Sequence, residues 1–105
     1  MKKNDCNVFV EGFETIHAGK DWHEYIDVEI GEENGLWGFS LNIEGKMSGM
    51  CEPLSPRNLK YNSRQEACKK AIERLKIEAV WMVSPALLDE IIEKLSETSV
   101  QLELF

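Results

Sequence analysis

Tyr25-Ile26-Asp27-Val28-Glu29-Ile30-Gly31-Glu32-Glu33-Asn34-Gly35-Leu36-Trp37-Gly38-Phe39-Ser40-Leu41-Asn42-Ile43-Glu44 decides the fold. In its first half Ile26, Val28 and Ile30 alternate with Tyr25, Asp27 and Glu29. In its second half Trp37, Phe39, Leu41 and Ile43 alternate with Gly38, Ser40, Asn42 and Glu44. A period of two puts each apolar set on one face of a strand. Asn34-Gly35 accepts two successive positive φ values, so a tight hairpin is the expected connection. The face carrying Trp37, Phe39, Leu41 and Ile43 should supply the core. Asp27 and Glu29 share the other face. Paired carboxylates can serve acid–base chemistry or hold a metal, but here the alternation reads them as the solvent side of an amphipathic strand.

Upstream of the hairpin, residues 1–5 are polar and read as frayed. Residues 8–16 read as a strand or two, broken at Gly12. Downstream, a third strand is expected around Met47–Leu54, with Pro53 and Pro56 forcing an edge or an exit. Residues 55–62 read as a loop. Ser63-Arg64-Gln65-Glu66 is a capping box. Behind it, Cys68, Ala71, Ile72, Leu75, Ala79 and Met82 form an apolar helical stripe. Ile77, Val80 and Trp81 are expected to widen that stripe, with Trp81 against a second helix. Ser84-Pro85 supplies an N-cap and a first helical residue. Leu87, Leu88, Ile91, Ile92 and Leu95 are the stripe of this second helix. Ser96-Glu97-Thr98-Ser99 reads as a polar linker. Strands followed by helices give an α+β fold: an antiparallel three- to four-stranded meander followed by two helices packed on one face. Residues 1–96 form the single domain, and 97–105 a C-terminal tail.

A length of 105 residues fits one domain, and 43% hydrophobic residues are too many for a disordered chain. No apolar run approaches the roughly 18 residues of a membrane span, and no apolar segment follows Lys2-Lys3 as a signal peptide requires. A cytoplasmic location is therefore expected. The net charge of -7 repels phosphate backbones, so strong direct nucleic-acid binding is not expected. The basic positions Arg57, Lys60, Arg64, Lys69, Lys70, Arg74 and Lys76 are interleaved with Glu66, Glu73 and Glu78 and read as a solvated face. Cys6, Cys51 and Cys68 are odd in number and lack any Cys-x-x-Cys pair, as reduced thiols do. His17 and His23 lie at no helical metal-ligand spacing. Cysteine catalysis would need one of them to approach Cys6 or Cys51 in space. The glycines match no nucleotide-binding pattern. No catalytic residue, metal or cofactor is assigned, and the chain is not expected to be an enzyme.

Gln101-Leu102-Glu103-Leu104-Phe105 resembles the peptide by which many proteins dock on the bacterial sliding clamp, the ring-shaped β subunit of the replicative polymerase. The common form of that motif is Gln-Leu-x-Leu-Phe, with Ser or Asp frequent at the third place, from which Glu103 departs. The resemblance covers five of the 105 residues, and the body shows no family motif. It implies that Gln101 hydrogen-bonds at the rim of the clamp groove, that Leu102 begins the apolar contact, and that Leu104 and Phe105 fill the deeper pocket. A few apolar anchors in a preformed groove, with one polar residue fixing register, are a sound basis for peptide affinity. The implied function is an adaptor of DNA replication or repair, of the kind a phage or other mobile element encodes. Val100, Leu102 and Leu104 also alternate with Gln101, Glu103 and Phe105, so the tail can alternatively add an edge strand to the sheet. On that second reading the protein is an acidic inhibitor or decoy occupying a nucleic-acid-binding site of a host or defence protein. Trp22, in the polar stretch Lys20-Asp21-Trp22-His23, is expected at the surface as a further partner-binding residue.

Overall fold

The long hairpin forms as the alternation requires. A computed structural model of the chain describes residues 2–20 and 22–103, with side chains as far as Glu97. Strands β1 (Lys2–Lys3) and β2 (Phe9–Glu11) pair as a small antiparallel ribbon. The main sheet holds β3 (Glu14–Ala18), β4 (Tyr25–Glu33), β5 (Leu36–Glu44), β6 (Gly49–Cys51) and β7 (Leu59–Tyr61). Its order is β3-β4-β5-β6, all antiparallel, and β7 pairs with the edge of β5 that β4 leaves free. Asn34 and Gly35 join β4 to β5 with φ of 57° and 84°, the two left-handed residues of a type I′ turn. The register then sets Ile26 opposite Ile43, Val28 opposite Leu41 and Ile30 opposite Phe39.

These side chains form the floor of the core. Helices α1 (Arg64–Glu78) and α2 (Pro85–Glu103) cover it. Ala67, Cys68, Ala71, Leu75, Leu87, Ile91 and Leu95 join the strand residues in one buried cluster. Each fully buried Val, Leu or Ile side chain there contributes about 1.5–3 kcal/mol of transfer free energy. The fold is α+β, with both helices on one face of the antiparallel sheet, as expected.

Both helix starts follow the sequence. Ser63 Oγ accepts from the Glu66 N–H at 3.1 Å, and the Glu66 carboxylate reaches back to the Asn62 N–H at 3.2 Å. Ser84 Oγ accepts from the Leu87 N–H at 3.4 Å, with Pro85 as the first helical residue. The Arg64 guanidinium grips Glu14, tying the start of α1 to the first strand of the main sheet.

Three expectations are corrected. Residues 59–61, read as loop, are a strand: Leu59 and Tyr61 pair with Gly38 and Trp37, and the Tyr61 ring stacks on Phe39 with centroids 6.0 Å apart. Three residues are too few to show a period, so only the partner strand defines this one. It makes the main sheet five-stranded rather than three- or four-stranded. Lys2 and Lys3 are paired rather than frayed. The strand expected over 47–54 is confined to Gly49–Cys51, and Pro53 lies beyond it. A second small interior lies away from the main core, where Phe9 and Leu54 are buried and the Phe9 N–H donates to the Leu54 carbonyl at 2.8 Å.

Candidate functional site

The tail grows directly out of α2. Leu87, Ile91 and Leu95 are its buried face, with Leu88 and Ile92 packed at the margin, while Ser96 and Glu97 are exposed. The next positions on the stripe are Thr98 and Ser99, which are too polar to prolong a core. The backbone stays helical through 96–99, where a short polar linker is expected, and on to Glu103. No Gly or Pro follows Ala86, and Ser96, Thr98 and Ser99 each cost a helix only about half a kcal/mol, so no strong breaker stops propagation. The domain boundary expected between 96 and 97 is thus crossed by one continuous helix. The edge strand weighed for 100–105 is not present over 100–103, which are helical. Gln101 and Leu102 lie in the final turns, and Leu104 and Phe105 lie outside the described residues.

Trp22 is at the surface, its ring 3.6 Å from that of His23. The loop carrying both is fixed to the N-terminus of α2, because Glu24 accepts from the Ser84 backbone and hydroxyl. The tail is at the other end of the same helix, about 27 Å away at 1.5 Å per residue. One peptide-sized groove therefore cannot engage Trp22 and Gln101 together.

The chemistry-bearing side chains spread across the sheet face that the helices leave open. The pairings place His17, Asp27, Asn42 and Cys51 in one row across β3, β4, β5 and β6. Thr15, Glu29 and Ser40 form the neighbouring row. His17 Nδ1 pairs with Asp27 Oδ1, next door in the row. Cys51 is three strand spacings from His17, about 14 Å, so these two form no nucleophile–base pair. Asp27 and Glu29 do share the open face, but both are half-buried rather than fully solvated. Burial pushes the Glu29 carboxyl above its usual range; the Ser40 hydroxyl, donating at 3.2 Å, opposes this, and the Asp27 charge adds to it. Cys6 is exposed within the β1–β2 connection, and Cys68 is buried in the core. Among the described residues no three His, Cys, Asp or Glu side chains are grouped to hold a metal. No helix among them is long and apolar enough to cross a membrane.

The basic positions of α1 are largely neutralised within the fold. Arg74 bridges Glu52 at 2.8 Å and Glu78 at 2.7 Å, and Lys70 meets Glu73 at 3.3 Å. Trp81 corrects another expectation: it is exposed, together with Ile77 and Val80, and does not pack on the second helix. For Ile77 the signal was present in the sequence. At 100° per residue, Ile77 lies about 180° from the Cys68–Leu75 stripe, on the outward side, and Val80 and Trp81 follow in a short 3-10 turn, Ala79–Trp81, where α-helical spacing no longer holds. Comparison with protein-family models, curated proteins and solved structures gives no match, so the residues of this chain alone carry its functional reading.

Proposed function

We propose that this chain is a non-enzymatic adaptor of DNA replication or repair, working in the cytoplasm and docking on the bacterial sliding clamp through Gln101, Leu102, Leu104 and Phe105. The string Gln101-Leu102-Glu103-Leu104-Phe105 carries this reading. Three apolar anchors and one amide suit a preformed apolar groove with a polar rim. Ahead of the motif, Ser96 and Glu97 are exposed and Thr98 and Ser99 are polar.

Docking as an extended peptide requires 101–103 to leave the helix. The last carbonyls of a helix lack intrahelical partners, and terminal turns open at little cost. The body stays folded while the final turn unwinds. Tethering raises the local concentration of the body near DNA to about the millimolar range without direct contact, which reconciles the role with a charge of -7.

The test is binding of the full chain, and of the Leu104→Ala, Phe105→Ala variant, to an immobilised bacterial clamp. A loss of at least about tenfold in affinity with an unchanged circular dichroism spectrum is expected, since each anchor is worth over a kcal/mol. Equal binding by both proteins, or none by either, overturns the reading.

A further inference from the structure

Three loops meet where β5 turns into β6. Gly45 lies so close to the Met82 carbonyl that a Cβ has no room there, which locks this turn against the α1–α2 junction. On its other side Gly45 and Lys46 share an open cleft of about 470 Å³ with Trp22, His23 and Glu44. Met47 stands at the tip of the turn, which the Gly45 N–H closes onto the Ser48 carbonyl at 2.8 Å. Large apolar side chains on all three loops face solvent. Trp22 is 75% exposed, Met47 97% and Trp81 87%. Ile77 at 69% continues the surface onto the outer side of α1, one turn back from Trp81, and Val80 at 54% is the chain neighbour of Trp81.

Taking about 150–250 Å² for a whole aromatic side chain and somewhat less for the aliphatic ones, these five present on the order of 700 Å². That approaches the ~800 Å² each partner contributes to a stable interface.

We propose that this end of the molecule is the interface of a twofold homodimer. The area fits, and so does the charge of the rim. Lys20, Glu24 and Lys46 line one cleft beside this turn and Glu44 joins Lys46 in the other, while Glu73 and Lys76 neighbour Ile77 on α1, so the rim carries both signs. A twofold axis sets the same patch against itself, and a rim of both signs can then pair lysine with glutamate across it. A nucleic acid would instead meet the rim carboxylates with its phosphates. The interface uses no residue of the tail and stands independently of clamp docking.

Sedimentation equilibrium of the full chain from about 1 to about 100 μM, the usual range of modest self-association, tests the proposal. The wild type is expected at twice the chain mass of 12.0 kDa. The Met47→Glu, Trp81→Glu variant is expected at the single-chain mass, with at least about tenfold weaker association and unchanged circular dichroism. Both substituted positions are exposed, so the fold should survive. The Leu104→Ala, Phe105→Ala variant should remain dimeric. A monomeric wild type overturns the proposal. So does a Met47→Glu, Trp81→Glu variant that stays dimeric, or a tail variant that dissociates.

Discussion

Glu24 holds Ser84: its Oε1 accepts from the Ser84 N–H at 3.2 Å and from the Ser84 hydroxyl at 2.9 Å. One carboxylate thereby joins the irregular β3–β4 loop to the cap of α2 and places a negative charge at the positive end of that helix. The loop has no regular structure of its own, so this link fixes where Trp22 stands.

Replacing Glu24 with Ala removes both bonds and leaves the Ser84–Leu87 cap in place. The expected cost is about 1 kcal/mol, or roughly 4–8 °C in the thermal midpoint of a domain this size. Thermal unfolding followed by circular dichroism measures it. An unchanged midpoint would show that the loop is held by something else.

The two sides of α1 should respond differently to truncation. Leu75 is fully buried, and Leu75→Ala is expected to cost about 2–5 kcal/mol through lost burial and the cavity left behind. Ile77 is largely exposed, and Ile77→Ala should stay within about 0.5 kcal/mol. Chemical denaturation of both variants at low protein concentration, where self-association does not contribute, gives the comparison.

The Glu29 carboxyl sets a pH dependence. Its folded pKa lies above the ordinary value of 4.5, chiefly because burial disfavours the charged form. The folded state therefore binds the Glu29 proton more tightly than the unfolded chain does. The stabilisation this gives is complete below the unfolded pKa and is lost as pH rises through the folded one. Glu29→Gln should consequently gain on the wild type between about pH 4.5 and neutrality, because its amide never ionises. Denaturant midpoints of the two proteins at several pH values measure the difference, and parallel curves would contradict it.

Much of the fold was legible because local chemistry and tertiary packing agree. The alternation over 25–44, the Asn34-Gly35 turn, the Ser63 cap and the Ser84-Pro85 restart each specify one conformation on their own. β7 was not legible, because Leu59–Tyr61 is a strand only by virtue of its pairing with Trp37 and Gly38. The outward position of Ile77 followed from helical spacing, but hydrophobicity alone suggested the core; that of Trp81 did not, because α1 gives way to a 3-10 turn at Ala79. The tail shows another limit. Gln101-Leu102-Glu103-Leu104-Phe105 can be matched as a string, yet its residues suit a helix, a strand or a bound extended peptide. The preceding helix resolves the backbone through Glu103.

The unwinding that docking requires has its own readout. Saturating the chain with clamp should expose the amides of 100–103 to faster hydrogen exchange or shift them to a new bound pattern. Amides of Leu87–Leu95 should keep their protection, since that stretch belongs to the core. Loss of protection throughout α2 would mean that the body itself rearranges.

Calorimetric titration of a bacterial sliding clamp with the full chain, and with a chain ending at Val100, tests clamp docking most directly. Binding by the full chain and none by the shortened one is expected. Equal binding by the two forms, or no heat from either, would contradict the assignment of residues 101–105 as the docking peptide.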